Sequence, residues 1–528
     1  MHFSDSMHTC LRVDEIVRLL ACELVVSGGK AAAAALARCC KNFEDPVLDA
    51  LWGTQDRLLP LLETFPEDVW DVVSHTFVSQ PTTPISSLLN YSIGKVFERM
   101  PTTVEWARFN KYARRMHKLK LDCSKEPIPS DVLSVLQLRT LNEPLLPNLK
   151  TLELKETAAY MIPFIPLFLS RRIACIDIHF IDCPPPVMVA SMIVNFPKLC
   201  PYMQEISLQP LLDDSTITHA ASEMLLTCNL DTLRSFQVDS HLTEEANRVL
   251  FRLPDLQGLW SVFTEHTPLP TASLPGLTVL DVQYFHGHDW LRAFHATPLS
   301  KLTDVAFHAD CDRIGDFLEA FENIALTTSA SASLSHFKFY TSCSWNPNYN
   351  SLLSFKQLKE LVVEFSCQGG CSSSVDDEII ATLAQAMPKL EILQLGKAPC
   401  QVPGNVTVQG LMALARHCPG LSKLRIHFKM DNLTVVLAGG AMPSPSDGES
   451  YLSRGDCALT SLEVGEIPIS DHHTLPVALT LLRIFPRLLE IECGNMVWGQ
   501  IADIIRLSKQ VDSFVRRSGM TYPLYYLS

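Results

Sequence analysis

The chain has 528 residues, 47% apolar and 19% charged, with 57 acids against 43 bases and a formal charge of −14. That length is too great for one ordinary compact core, so the chain holds several domains or an extended array, and its apolar content excludes a disordered chain. The acidic balance and the lack of any long basic run exclude nucleic acid as the main partner, because phosphate binding needs clustered Lys and Arg.

The N-terminal phrase "MHFSDSMHTCLRVDEI" lacks the basic start and apolar run of a signal peptide. No uncharged apolar stretch of about 18 residues suggests a membrane span. The 17 Cys are scattered, several in apolar phrases such as "IACIDI". That usage reads as buried reduced thiols and predicts an intracellular protein, cytoplasmic or nuclear.

Three helices are predicted first. "LRVDEIVRLLACEL" carries Val13, Ile16, Val17, Leu20 and Leu24 on one stripe, with Asp14 and Glu15 where the helix dipole favours acid. "SGG" ends it. "KAAAAALARCCKNF" is strongly helical. "DPVLDALWGTQDRLL" opens with Asp45 as a cap and Pro46 at the first helical position, then sets Leu48, Leu51 and Trp52 on an apolar side. The module closes by residue 65, and 66–113 reads as a helical linker or cap.

From residue 114 the pattern changes. The triple apolar-x-x-apolar-x-apolar recurs from Met116, Leu149, Ile173, Met203, Leu233, Leu256, Leu277, Leu302, Leu334, Leu358, Leu390, Leu421, Leu459 and Leu488. The bare triple is weak in so apolar a chain. Seven of the 14, however, carry Pro two places earlier, each after an apolar residue or Cys: Pro147, Pro201, Pro254, Pro275, Pro388, Pro419 and Pro486. Chance would place roughly one, so this is a repeat architecture. The weak triple at Leu256 could equally be ordinary core. Each triple alternates like a short strand with one buried face. Ahead of several Pro residues lies a helical pattern, as in "GLMALARHCP". Pro stops that helix and extends its predecessor. One unit is therefore helix, stop, strand, and only stacked copies bury its apolar side. Spacings run from 21 to 38 residues, with loops expected near 326–335, 366–377 and 438–457.

These phrases resemble leucine-rich repeats of the kind found in F-box proteins, with "LMALARHCPGLSKLRI" and "IATLAQAMPKLEILQL" fitting well. The N-terminal "LARCCKNF" and Leu51-Trp52 resemble an F-box, although "RVDEI" lacks that family's Pro. The ordering "LARCCKNFEDPVLDALWGTQDRLLPLL" looks very like F-box-type proteins of mushroom-forming (basidiomycete) fungi. The resemblance implies an α/β fold: a three-helix F-box-like module, then an irregular leucine-rich-repeat solenoid shaped as a horseshoe over 114–528. It implies docking on a Skp-type adaptor of a cullin ubiquitin ligase, through Val13, Ile16, Leu36, Cys39, Phe43, Pro46, Leu51 and Trp52, with the repeats holding a protein substrate. The alternative is a repeat scaffold outside any ligase, its N-terminal helices capping the first repeat.

Other candidates weigh less. Trp52 and Phe43 could simply fill the module's core. Cys367 with Cys371, His286 with His288, and His472 with His473 lack partners at metal-ligand spacing. No GxSxG, HExxH or GxGxxG phrase appears, and "SGGK" lacks Walker spacing. Neither metal, cofactor nor enzymatic constellation is expected. Positions two, four and six after each first apolar residue should face the concave wall. They hold twelve acids against six bases, so an acidic path through Glu205, Asp239, Asp281, Asp304, Glu360 and Glu364 is expected to favour a basic, salt-sensitive partner segment; the alternative is that the strand faces carry charge for solubility and its sign is incidental.

Overall fold

The structure, a computed structural model, describes residues 14–76, 91–139, 143–211, 214–228, 230–262, 274–285, 299–309, 317–341, 348–365, 375–396, 404–428, 457–464, 473–493 and 496–518. The chain divides into two units, Met1–Leu256 and Gln257–Ser528.

The first unit begins with helices α1 (Asp14–Val26), α2 (Lys30–Cys39) and α3 (Lys41–Gly53), the strand β1 (Thr54–Gln55) and the short helix α4 (Leu59–Leu62). Strands β2 (Trp70–Thr76) and β3 (Tyr91–Phe97) and helix α5 (Thr103–Ala113) follow. Strands joined by helical segments follow: β4 (Lys118–Asp122), α6 (Ser130–Arg139), β5 (Thr151–Thr157), a 3-10 helix (Ala159–Phe168), β6 (Cys175–Phe180), α7 (Pro186–Ile193), α8 (Phe196–Leu199), β7 (Glu205–Gln209), α9 (Ser215–Thr227), β8 (Ser235–Val238) and α10 (Glu244–Leu250).

The three N-terminal helices close a core of their own, with Val17, Ala21, Ala33, Phe43 and Val47 buried. Gly28 ends α1 at φ +85°, a left-handed value that Gly takes without steric cost. Two details differ from the sequence reading. The buried stripe of α1 runs Val17, Ala21, Leu24, so Leu20 is 46% exposed; small Ala21, not Leu20, lets α1 lie close on its neighbours. Helix α3 starts at Lys41 rather than at Asp45, and it carries Pro46 in its interior. The apolar Phe43 and Val47, one turn apart, bury only if the helix begins a turn earlier.

Residues 66–113 are not a helical linker. "WDVVSHT" and "YSIGKVF" are β-branched and aromatic, and they pair antiparallel from Trp70↔Phe97 to Thr76↔Tyr91. Trp70 stacks on Phe97 at 4.5 Å, and Phe65 packs against Trp106 and Phe109 of α5 at 5.0 and 5.2 Å. Helix α5 opens with a capping box between Thr102 and Glu105.

In the second unit come β9 (Gly258–Val262), β10 (Val279–Phe285), β11 (Asp304–Ala309), α11 (Phe317–Thr327), β12 (His336–Thr341) and β13 (Glu360–Phe365). They are followed by α12 (Asp377–Ala386), β14 (Ile392–Leu395), α13 (Val408–His417), β15 (Lys423–Arg425), β16 (Ser461–Glu463), α14 (Thr474–Ile484), β17 (Glu490–Glu492) and α15 (Met496–Ser518). The span 326–335 is no long loop: it holds the end of α11 and a 3-10 turn at Ala330–Ala332. The other two expected loops, up to 374 and 456, lie outside the described residues.

Each of the 14 sequence triples starts a strand two residues after its first apolar residue, including the one at Leu256. All these strands pair in parallel within their units. In the first unit Lys118, Thr151, Cys175, Glu205 and Ser235 lie side by side, and β1 adds Thr54 beside Lys118. In the second the same rung runs Gly258, Val279, Asp304, His336, Glu360, Ile392, Lys423, Ser461, Glu490.

The recurring phrase has a backbone cause. The residue before Pro accepts from the amide of the first Leu, as Leu146 does from Leu149, Met387 from Leu390 and Cys418 from Leu421. Pro thus occupies the second place of a β-turn, where its fixed φ fits. One residue on, each carbonyl takes two amides of the next repeat: Lys359 O accepts from Glu391 at 2.7 Å and Ile392 at 3.0 Å. The turn aims the strand, and the shared carbonyl sets its register. Alternate residues such as Leu361, Val363, Leu393 and Leu424 are fully buried.

Candidate interaction surfaces

Two surfaces offer themselves, the outside of the N-terminal module and the outward row of strand residues in each unit. In the module, Phe43 and Pro46 are buried, and Leu36 and Leu51 pack half-buried on the core. These four hold the module together. Ile16 is half-buried, Cys39 is exposed, and Val13 lies outside the described residues. Trp52 leaves the module's core for Tyr112 on α5, ring centroids 4.7 Å apart. Beside that stack, Arg115 holds Asp45 and Asp49, and Lys111 reaches Glu44 at 3.0 Å. One face of α3 is therefore fastened to α5.

The face of α1 behind its buried stripe is apolar as well. Leu19 is 70% exposed and Leu20 46%, and both fall on the side of Ile16 by helical spacing. Sequence reading missed Leu19. The signal was a second stripe, Ile16, Leu19, Leu20, offset by one residue from the first.

On the first unit's strand row, Glu205 is exposed and Asp239 half-buried. Burial pushes the Asp239 carboxyl up to about 6, with His179 pulling the other way. Glu153 takes both Lys118 at 2.6 Å and Lys120 at 2.9 Å.

The second unit's row holds Asp281 and Asp304 on neighbouring strands and Glu360 with Glu364 on a third. These acids do not form an uncompensated wall. Asp304 meets His336 Nδ1 at 2.7 Å, Glu360 meets Lys338 Nζ at 3.0 Å, and Arg425 joins Glu364 to Glu463. His308 Nε2 stands 3.7 Å from Asp281, and its ring stacks on Tyr340 at 4.6 Å and 18°. Burial lowers the His308 pKa, which keeps the ring neutral at pH 7. The His and Tyr positions lay in the same register rows as the acids, but counting charges alone passed over them.

Among the described residues no cluster of three or more His, Cys, Asp or Glu side chains could hold a metal ion, and no helix is long and apolar enough to cross a membrane. Cys367, Cys371, His286, His288 and His472 lie outside the described residues.

No family model matches the chain, and no curated protein does. Among solved structures it is similar to the crystal structure of the Rad7 and Elc1 complex in yeast, at 16% identity over 58% of this chain and 75% of that one, with a TM-score of 0.33. A likeness of that order carries no argument about activity.

Proposed function

We propose that this chain is a non-enzymatic substrate-recognition subunit: its N-terminal module docks on a Skp-type adaptor of a cullin ubiquitin ligase, and its strand rows hold a protein substrate. The observation that carries this reading is the second apolar stripe of α1. The module has a closed core and still leaves Leu19 and Leu20 open beside Ile16. A helix that served only to cap a repeat would turn such residues inward. The chain then works by position, raising the local concentration of a substrate beside a ligase.

The test uses the full chain co-expressed with a Skp-type adaptor. Leu19→Asp with Leu20→Asp is expected to abolish adaptor recovery while the helical spectrum stays unchanged. Equal recovery of wild type and double variant, or none with wild type, overturns the docking role.

A second reading, a repeat scaffold outside any ligase, draws on the fastening of α3 to α5 through Trp52, Tyr112 and Arg115. A cap needs that attachment. The second reading predicts that wild type recovers no adaptor.

A further inference from the structure

We infer that α15 is a dimerisation helix: two copies of this chain pair antiparallel through the stripe Leu507, Val511 and Phe514. The inference stands apart from the ligase reading.

Helix α15 changes character along its length. Its first part packs on the second unit, with Trp498, Ile501, Ala502 and Ile505 buried. Its last fastening is Lys509 Nζ, which donates to Pro486 O just past the end of α14. Helix α14 has 11 residues, about 17 Å, and α15 has 23, about 35 Å. Past Lys509 the described side chains, Gln510, Val511, Ser513 and Phe514, are all exposed.

Two independent observations say that this end is covered by an apolar partner. Leu507 and Val511 are 60% exposed and Phe514 is 66% exposed. Steps of four and three put them on one face, opposite the buried one. A terminal element of a repeat array needs a polar outer face, and α15 has the reverse. The second observation is composition. Residues 510–518 read "QVDSFVRRS", in which Val511, Asp512, Ser513, Phe514, Val515 and Ser518 are weak helix formers. So short a stretch of that composition does not stay helical in water by propensity. Packing has to hold it, and its described side chains are open to solvent.

Stripe and charge together fit a second copy. A two-fold interface must be complementary to itself. With the axis between Gln510 and Val511, antiparallel copies set Leu507 of each against Phe514 of the other, and Val511 near Val511. The charge is graded in the same sense. Asp503 lies in the first part of the helix, and Arg516 and Arg517 fall in its last turn. Antiparallel copies bring acid toward base at both ends, whereas parallel copies oppose like charges. Asp503 has a pair with Arg506 of its own helix at 2.8 Å, but it is an exposed contact, which is replaced at little cost. An anionic membrane surface suits the stripe less, because the chain carries a formal charge of −14. Three apolar side chains per copy make a small interface, so the dimer is weak and forms at roughly micromolar concentration.

The test is sedimentation velocity of the full chain between about 1 and 100 μM. Wild type is expected to double in mass across that range. Leu507→Glu with Phe514→Glu should stay monomeric with an unchanged melting temperature, since both side chains are exposed. Leu326→Glu, on an exposed Leu of α11, should dimerise as wild type does. Orientation is read by cysteine cross-linking. Leu507→Cys mixed with Phe514→Cys should give a cross-linked dimer above the wild-type background under mild oxidation. Neither should do so alone, because like positions stand about 10 Å apart along an antiparallel pair. Amide protection over 510–518 should rise about tenfold with concentration. A wild type that stays monomeric, a double variant that still dimerises, loss in Leu326→Glu, or cross-linking of each cysteine variant alone overturns the pairing. A monomer whose 510–518 amides stay protected at every dilution overturns it as well, in favour of cover by the chain's own residues 519–528.

Discussion

Trp52 lies against Tyr112 with ring centroids 4.7 Å apart and planes inclined by 32°. The contact joins the last turn of α3 to the last turn of α5, and the Arg115 pairs to Asp45 and Asp49 flank it. Aromatic pairs of this kind contribute about 0.5–1.5 kcal/mol beyond the area they bury. A double-mutant cycle of Trp52→Leu and Tyr112→Leu, read from denaturant unfolding, is expected to return a coupling in that range. Adaptor recovery should survive Trp52→Leu, since this ring faces α5. Zero coupling would mean that α3 is fastened to α5 by the ion pairs and not by this ring contact.

Leu393 and Ile392 are neighbours with opposite fates. Leu393 is fully buried between Leu361 and Leu424, while Ile392 is half-buried between Glu360 and Lys423 on the outward row. Leu393→Asp places an unpaired charge in the core, and soluble expression should collapse. Ile392→Asp puts a carboxylate beside Lys423 and should be tolerated. Leu393→Ala should cost about 2–5 kcal/mol through the cavity it leaves. Equal damage from the two aspartates would contradict the register.

That register was legible in the sequence because the strand signal is local. Apolar alternation and a Pro two places ahead fix which residues turn inward, and all 14 triples begin strands. The hairpin β2–β3 was less legible: 14 residues lie between its partners Thr76 and Tyr91, and no tight-turn phrase joins them. Leu19 escaped because an amphipathic search rewards one stripe, and α1 has two. The pairing of Glu360 with Lys338 and of Glu364 with Arg425 depends on which strands adjoin, and charge counts along the chain do not encode that adjacency.

Asp377 shows the same limit in another place. It sits in the first turn of α12, yet its carboxylate accepts from Thr407 N at 2.7 Å, Thr407 Oγ1 at 2.6 Å and Gly410 N at 2.9 Å. One repeat thus caps the helix of the next, where free amides and the helix dipole favour an anion. Asp377→Ala should loosen α13 by about 2 kcal/mol, seen as a thirty-fold or so loss of amide exchange protection over Val408–Leu411. Asp377→Asn should lose less. A Cβ at Gly410 would lie 2.6 Å from Asp377 Oδ1 and 2.8 Å from Val406 Cγ1, so Gly410→Ala should loosen the same amides. Unchanged protection in Asp377→Ala would remove the cap from the account.

Asp239 gives a pH dependence of unusual sign. Burial raises its carboxyl to about 6, against the weaker opposing pull of His179. An unfolded aspartate titrates near 3.9. Between about pH 4 and 6 the folded chain therefore binds more protons at this site than the unfolded chain does, so this group's contribution to stability grows as pH falls through that window and is flat above it. Other carboxylates act the opposite way: side-chain pairing with Arg99 holds Glu105 at about 2, and Lys125 holds Asp122 at about 2. Their stabilisation is lost on acidification, so the whole protein's pH curve hides the Asp239 effect. Comparison with Asp239→Asn isolates it, because every other group cancels in the difference. The difference in unfolding free energy, wild type minus variant, should increase as pH falls from about 6 to 4 and stay level from about 6 to 8. A difference that is flat from pH 4 to 6, or that shrinks on acidification, would show that Asp239 stays ionised in the fold.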